Sequence, residues 1–194
     1  LTGRRGTNGG FVHWTANFDE IQDFEHDIRD GFGGTGFMLD SDFDNGTRNQ
    51  PLGDAKAGLS SELDDLAAYV TSLGTFPDSP YRANNGSLTE AGIAGQAVFA
   101  ERGCASCHSG TDFTDDLTHD VGTQIDASGL GRGVTLDGVG QNTPTLRGLW
   151  LSAPYLHHGA APQLVDVLAN ATHMRAELTD REKETLASYL LQIE

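Results

Sequence analysis

Both cysteines of this 194-residue chain lie within one pentapeptide, Cys104-Ala105-Ser106-Cys107-His108. With only two cysteines, the chain cannot form a disulfide framework or a four-cysteine zinc or iron–sulfur site. The CxxCH spacing is the attachment signature of a c-type haem, because the two thiols reach the two vinyl groups of one haem edge and the next residue brings an imidazole to the iron. The motif therefore predicts one covalent haem c, attached through Cys104 and Cys107 and ligated by His108.

Other uses of this pentapeptide fit the sequence less well. A zinc site needs four ligands, and no second cysteine–histidine pair stands at zinc-finger spacing. A redox-active CxxC usually follows a strand of a βαβ unit, and the sequence pattern contains no such unit. A buried structural role for the five residues is the remaining alternative. We therefore interpret the pentapeptide as a haem site.

The charge balance restricts the partners of the chain. Asp and Glu number 28 against 12 Lys and Arg, which gives a net charge of −16 at pH 7. Such a chain lacks the clustered Lys and Arg that bind nucleic-acid phosphates or anionic membrane surfaces. No apolar run approaches the ~20 residues of a membrane span. We expect a redox partner protein, no nucleic acid and no membrane span. The acidic surface would steer a partner with a basic docking surface, or it would simply maintain solubility.

The apolar pattern predicts a mainly α-helical fold with long loops. Glycine supplies 25 residues, which favours loops and short helices around a small core. Residues 31–58 are expected to form an irregular loop. We predict helices at 17–31, 60–73, 87–102, 163–170 and 179–193, with capping residues at Asn17, Ser87 and Thr179.

A stretch rich in proline and asparagine, FPDSPYRANNG, divides the chain. We predict a smaller α/loop module over residues 1–77, a linker over 78–87 and the haem module over 88–194. The first module has no CxxCH motif.

A faint internal repeat relates the two modules. Residues 1–14 resemble residues 146–159, and a short helix follows each copy. In this alignment His13 and Trp14 take the place of the His-Gly block of the second copy. The first module would then be the tail of a cytochrome c-like module whose head lies upstream of Leu1.

The far side of the haem iron has two neighbouring candidate ligands, His173 and Met174. A methionine thioether would raise the reduction potential, whereas a second histidine would give a bis-histidine site of lower potential. The alternatives are core packing for Met174 and a solvated loop position for His173. The sequence does not choose between them.

Two longer segments carry a family resemblance. Residues 105–123 read ASCHSGTDFTDDLTHDVGT, and residues 143–159 read TPTLRGLWLSAPYLHHG. They resemble the C-terminal haem domain of the bacterial di-haem cytochrome c peroxidase and methylamine-utilisation family. That family places a Thr-Asp turn, a His-Asp-Val-Gly-Thr stretch and an Ala-Pro-Tyr-x-His-x-Gly block after its CxxCHxG segment. The matching segments run in order over most of residues 87–194.

The resemblance implies a cytochrome c-like fold, in which the first and last helices cross. Gly95 and Phe99 on the first helix, and Tyr189 on the last, are expected to form this contact. The resemblance also implies pocket roles for residues between the two helices. Arg147, Pro154 and Tyr155 are expected to line or brace the haem pocket, with His157 near it. Arg147 either pairs with a haem propionate or is a surface arginine.

Departures from the family decide the expected function. Family peroxidases carry two haems on one chain, whereas this chain has one CxxCH motif, and His158 stands where the family usually has Asp. We expect electron transfer by one haem c in the periplasm or outside the cell, as a domain of a larger secreted redox protein that supplies an extracellular oxidative enzyme. The alternatives are a peroxidase-like enzyme whose second haem is missing from this chain, and a haem sensor.

An acidic loop offers a second possible cofactor. Asp40, Asp42 and Asp44 place carboxylates at alternate positions, and oxygen ligands of this kind suit calcium. The following glycine stands one place late for an EF-hand loop, and no glutamate closes it. A solvated acidic loop is the alternative.

Overall fold

The computed structural model describes residues 10–75, 77–126, 140–174 and 176–194. Its seven α-helices in these ranges are Phe24–His26 (α1), Asp40–Phe43 (α2), Ser61–Ser72 (α3), Glu90–Glu101 (α4), Leu164–Leu168 (α5), Ala171–Met174 (α6) and Asp180–Leu190 (α7). Two short strands, Thr118–His119 (β1) and Gln141–Asn142 (β2), pair antiparallel. The predicted mainly α fold is confirmed.

Side-chain caps define the starts of the long helices. The Thr179 hydroxyl accepts from Glu182 N at 3.3 Å, and the Glu182 carboxylate accepts from Thr179 N at 2.8 Å, as the capping pattern predicts. Helix α4 begins two residues later than expected, because Thr89 rather than Ser87 caps it and accepts from Gly92 N. Ser60 caps α3.

Helices α4 and α7 cross at Gly95. A Cβ atom at this position would lie 2.8 Å from Tyr189 Cβ and would overlap the Thr185 carbonyl, so only glycine allows this approach. The Phe99 and Tyr189 rings pack edge to face with centroids 5.5 Å apart. The predicted crossing is therefore present, and it anchors a core of ten buried residues: Phe99, Leu146, Leu164, Leu168, Leu178, Leu186, Ala187, Tyr189, Leu190 and Ile193.

The first part of the chain is held by buried charges. Lys56 Nζ lies 2.6 Å from Asp23 Oδ1, with the two side chains 1% and 0% exposed. The buried Glu25 carboxylate accepts from the backbone N–H groups of Phe37 and Met38. These contacts order much of the segment expected to be irregular. The predicted first helix begins at Ile21, later than expected, because its cap is Glu20 rather than Asn17. It continues without a gap to Gly31, and its hydrogen-bonding pattern changes from 3₁₀ to α to π.

An internal repeat is visible in the backbone from Val12 onward, while residues 1–9 of the predicted first copy lie outside the described residues. An isolated antiparallel bridge joins Val12 to Phe18, and another joins Tyr155 to Ala161. Matched positions within the two loops share positive φ angles: His13 and Leu156 at 68°, and Ala16 and Gly159 at 53° and 71°. A capping box follows each loop, formed by Glu20 with Asp23 and by Gln163 with Asp166. This pairing corrects the register expected from sequence, because Trp14 now corresponds to His157.

The first loop lies against the second half of the chain. Trp14 O accepts from Asn142 N at 2.8 Å, and Phe11 N donates to Asp116 Oδ2 at 3.0 Å. The rings of Trp14 and His157, which occupy equivalent positions in the repeat, have centroids 6.3 Å apart. The described part of the chain has no helix long and apolar enough to cross a membrane.

Candidate haem site

The CxxCH segment follows directly from the end of α4. Gly103 adopts φ +69°, a left-handed conformation that glycine accepts easily, and the chain then enters a 3₁₀ turn over Cys104–Ser106. His108 N donates to Cys104 O at 3.0 Å, which closes the turn. Both thiols are half-buried and unpaired, and burial raises the pKa of the Cys104 thiol. One short turn therefore presents two thiols and an imidazole, the set that a haem c requires.

The His108 ring is oriented by the backbone. Its Nδ1 lies 3.2 Å from Phe113 O and must carry the proton to donate to that carbonyl. Burial lowers the pKa of His108, although the carbonyl and the nearby Asp115 charge act in the opposite direction. The ring is thus neutral at pH 7 with its Nε2 lone pair available. Metal-ligating histidines usually donate their other ring N–H in this way.

His173 faces His108 from α6. The ring centroids lie 6.3 Å apart with planes at 64°. Burial, with the neighbouring His108, lowers the pKa of His173 to about 4, so this ring is also neutral. A metal bound at about 2.0 Å from one nitrogen of each ring would separate the two ring centres by about 6 Å. The two imidazoles therefore fit a shared iron.

Met174 lies beside His173 but packs elsewhere. Consecutive residues of a helix point about 100° apart, so the two side chains on α6 cannot face the same way. Met174 is half-buried and packs against the core formed by α4, α5 and α7. The structure thus places the His173 ring next to that of His108 and the Met174 side chain against the helical core. Which of the two would ligate the iron stays a prediction.

The four pocket residues implied by the family resemblance lie in the segment before α5. Arg147 Nη1 is 3.4 Å from Asp112 Oδ1. Tyr155 packs against the core and donates its hydroxyl to Leu149 O at 3.1 Å, while Pro154 is exposed after a cis peptide bond. His157 contacts the rings of Trp14 and His158. Their roles around a haem stay predictions.

Sequence reasoning missed one cluster beside the attachment site. Ligand atoms of Cys107, Asp115 and His119 all lie within 4.8 Å of one another. His119 Nε2 and Asp115 Oδ2 are 2.7 Å apart. Asp115 and His119 are four residues apart, a spacing that brings two side chains together on a helix. The sequence pattern predicts a loop here, so this spacing did not indicate a contact. This cluster places a carboxylate and an imidazole beside the Cys107 thiol, which the motif predicts to carry the haem.

The acidic loop does not assemble into such a cluster. Helix α2 runs through Asp40–Phe43, and residues two apart on a helix point to different sides. Asp40 is paired with Arg29 Nη1 at 2.7 Å. Among the described residues, the only group of three converging metal-type ligands is the one at Cys107.

Comparison with known proteins points to one family. A domain model described as RoxA-like, cytochrome c-like, matches residues 140–177. The methylamine utilization protein MauG of Methylophilus methylotrophus is 36% identical over 146 residues, which is 69% of this chain and 42% of that protein. The cytochrome c peroxidase Ccp of Escherichia coli is 33% identical over 124 residues, covering 55% of this chain and 26% of that protein.

This chain resembles the di-haem cytochrome c peroxidase and methylamine-utilisation family. The resemblance predicted from the motifs is thereby confirmed, and the cytochrome c-like family implies haem c. The gamma subunit of hydrazine synthase from Kuenenia stuttgartiensis is also similar, with 32% identity over 169 residues, or 66% of this chain and 48% of that protein. The chain thus spans less than half the length of each of these relatives.

A solved structure supports the cytochrome c-like fold. Hydrazine synthase of Kuenenia stuttgartiensis, pressurized with 20 bar xenon, aligns with 87% of this chain and 60% of that chain, with 28% sequence identity and a TM-score of 0.57.

Proposed function

We propose that this chain binds one haem c through Cys104 and Cys107 and transfers single electrons. His108 and His173 serve as the two iron ligands in this proposal. The observation that carries it is the pair of neutral, inward-facing imidazoles 6.3 Å apart beside two unpaired thiols.

The bound haem would supply a reversible one-electron change between ferric and ferrous iron. The chain supplies the two attachment thiols and two neutral imidazoles. Phe113 O fixes the proton of His108 on Nδ1, which leaves the Nε2 lone pair as the one that would hold the iron. His173 stays unprotonated well below neutral pH, because its pKa is about 4. Two protein ligands leave no open position, which suits electron transfer better than peroxide chemistry.

The packing around the site favours the same role. The crossing of α4 and α7 through Gly95 fixes the end of α4, from which the CxxCH turn emerges. Helices α5 and α7 belong to the same buried core as α4. Rigid support keeps the surroundings unchanged when the haem gains or loses charge.

The partner and the location follow from charge and from haem chemistry. A net charge of −16 would steer a partner with a basic docking surface. Covalent haem attachment takes place outside the bacterial cytoplasm, so we place the chain in the periplasm or outside the cell. Its wider role would be that of a domain in a larger secreted redox protein, supplying electrons to an extracellular oxidative enzyme.

A peroxidase-like enzyme is the second candidate. Its support is the similarity to the cytochrome c peroxidase Ccp and the repeated loop, which pairs Trp14 with His157 at the contact between the two halves. This function needs a displaceable iron ligand and a distal acid or base, for which His157 is the available side chain.

The two candidates differ in how the purified holoprotein reacts. An electron carrier gives a reversible one-electron couple, binds no carbon monoxide in the ferrous form and turns over peroxide negligibly. The His157→Gln variant should then match the wild type. Rapid peroxide reduction that is lost in His157→Gln would instead establish the enzyme.

A further inference from the structure

A strained turn follows the CxxCH segment. Phe113 and Asp116 both adopt left-handed conformations, with φ of 52° and 57°, although neither is glycine. Such conformations are unfavourable for residues with a Cβ atom and persist only where surrounding contacts hold them. Between them lie Thr114 and Asp115. Thr114 Oγ1 donates to Thr143 O at 2.6 Å, which ties the turn to the residue after β2.

This turn lies beside both His108 and Cys107 of the CxxCH segment. The Phe113 carbonyl accepts from His108 Nδ1. Two residues later, the Asp115 carboxylate lies within 4.8 Å of Cys107 Sγ. The backbone conformation that orients the iron ligand therefore also places a carboxylate beside the sulfur that would carry the haem.

Asp115 is held as an anion. Burial alone would raise its pKa, but hydrogen bonds from Leu117 N, His119 and Thr143 outweigh burial and lower it. Leu117 N donates to Oδ1 at 3.1 Å, and His119 Nε2 lies 2.7 Å from Oδ2. The side chain is 15% exposed. Water therefore screens this charge less than it screens the carboxylates on the surface.

We propose that Asp115, positioned by His119, is a fixed negative charge that lowers the reduction potential of the haem. The inference rests on the proposed function and deepens it. Ferric haem carries one more positive charge than ferrous haem, so a nearby carboxylate favours the ferric form. In a partly buried site a unit charge acts on its neighbours more strongly than it does in water. The iron takes up one electron, and no proton transfer is required.

A purely structural role is the competing explanation. Asp115 and His119 would then serve only to hold the turn against β1 and β2. Removing the charge would lower stability, but it would not move the potential. The midpoint potential therefore separates the two roles, and activity is not needed as a readout.

The test is a potentiometric titration of the holoprotein and four variants. Asp115→Asn and Asp115→Ser remove the charge, Asp115→Glu keeps it, and Asp65→Asn removes an exposed charge on α3 as a matched control. At a fixed applied potential, Asp115→Asn should raise the ferrous-to-ferric ratio about tenfold, which is about 59 mV for a one-electron couple. Asp115→Glu should stay close to the wild type.

Two results would overturn the inference. One is a shift in Asp115→Asn no larger than that in Asp65→Asn, and the other is an equal shift in Asp115→Glu. Asp115→Ser provides the second neutral variant if Asp115→Asn fails to incorporate haem. A wild-type holoprotein without a reversible couple would instead refute the proposed function, so the two failures are distinguishable.

Discussion

The imidazole rings of His108 and His173 lie with their centres 6.3 Å apart and their planes at 64°. His108 follows the turn that ends α4, and His173 belongs to α6. Both rings are desolvated and neutral. Two neutral imidazoles held edge to face beside unpaired thiols are the structural basis of the electron-transfer proposal.

The thiols can be tested one at a time. In Cys104→Ser or Cys107→Ser, one thioether should remain, and haem should still migrate with the denatured chain. In the double variant haem should be lost on denaturation, because only the iron ligands hold it. Haem staining of a denaturing gel checks this. A double variant that retains stained haem would contradict the assignment.

The crossing of α4 and α7 should tolerate no side chain at Gly95. Gly95→Ala forces a Cβ against Tyr189 Cβ and the Thr185 carbonyl, and overpacking of this kind costs about 1–3 kcal/mol. Gly74 has open space around it, so Gly74→Ala should be close to neutral. Urea denaturation followed by circular dichroism measures both. Equal stabilities of the two variants would refute the close approach.

The buried ion pair makes a different prediction. Lys56→Met leaves the Asp23 carboxylate buried without its cation and should lower the free energy of unfolding by about 3–5 kcal/mol. Asp23→Asn in the same chain removes the uncompensated charge and should restore part of that loss. Denaturant unfolding of the single and double variants gives the coupling free energy between Lys56 and Asp23. A double variant less stable than Lys56→Met would contradict this account.

Acid should weaken the contact between the start of α7 and the end of α4. The Arg102 guanidinium and the Thr179 cap lower the pKa of Glu182 from 4.5 to about 2. A carboxyl with a depressed folded-state pKa stabilises the fold above its unfolded pKa, and this stabilisation is lost as pH falls from about 4.5 to 2. Stability curves of wild type and Glu182→Gln should therefore converge over that range. Curves that stay parallel over this range would show that ionisation of Glu182 contributes nothing to the free energy of unfolding.

Local signals predicted much of the fold. The Thr179–Glu182 capping box and the glycine at position 95 each act within one helix or one helix contact. The CxxCH motif is local too. The mainly α fold could be predicted because apolar residues that recur three or four positions apart indicate a helix without knowledge of the rest of the chain.

The remaining features depend on long-range placement. The position of His173 beside His108 depends on the orientation of a four-residue helix, which periodicity cannot supply. The choice between His173 and Met174 as iron ligand stays a prediction. The position of Asp115 beside Cys107 depends on the left-handed conformations of Phe113 and Asp116. Neither residue is a glycine, so the sequence pattern did not predict these conformations. The register of the repeat is defined by the matched φ angles and bridges of the two loops. Sequence comparison does not align Trp14 with His157, because they are different residue types.

In the proposed haem site, His108 and His173 together ligate one iron. The direct measurement is the ferric spectrum and electron paramagnetic resonance signal of the wild type, His173→Ala and Met174→Leu. We expect a low-spin bis-imidazole signal in the wild type and in Met174→Leu, and a high-spin signal in His173→Ala. A low-spin signal that survives in His173→Ala and is lost in Met174→Leu would contradict the account.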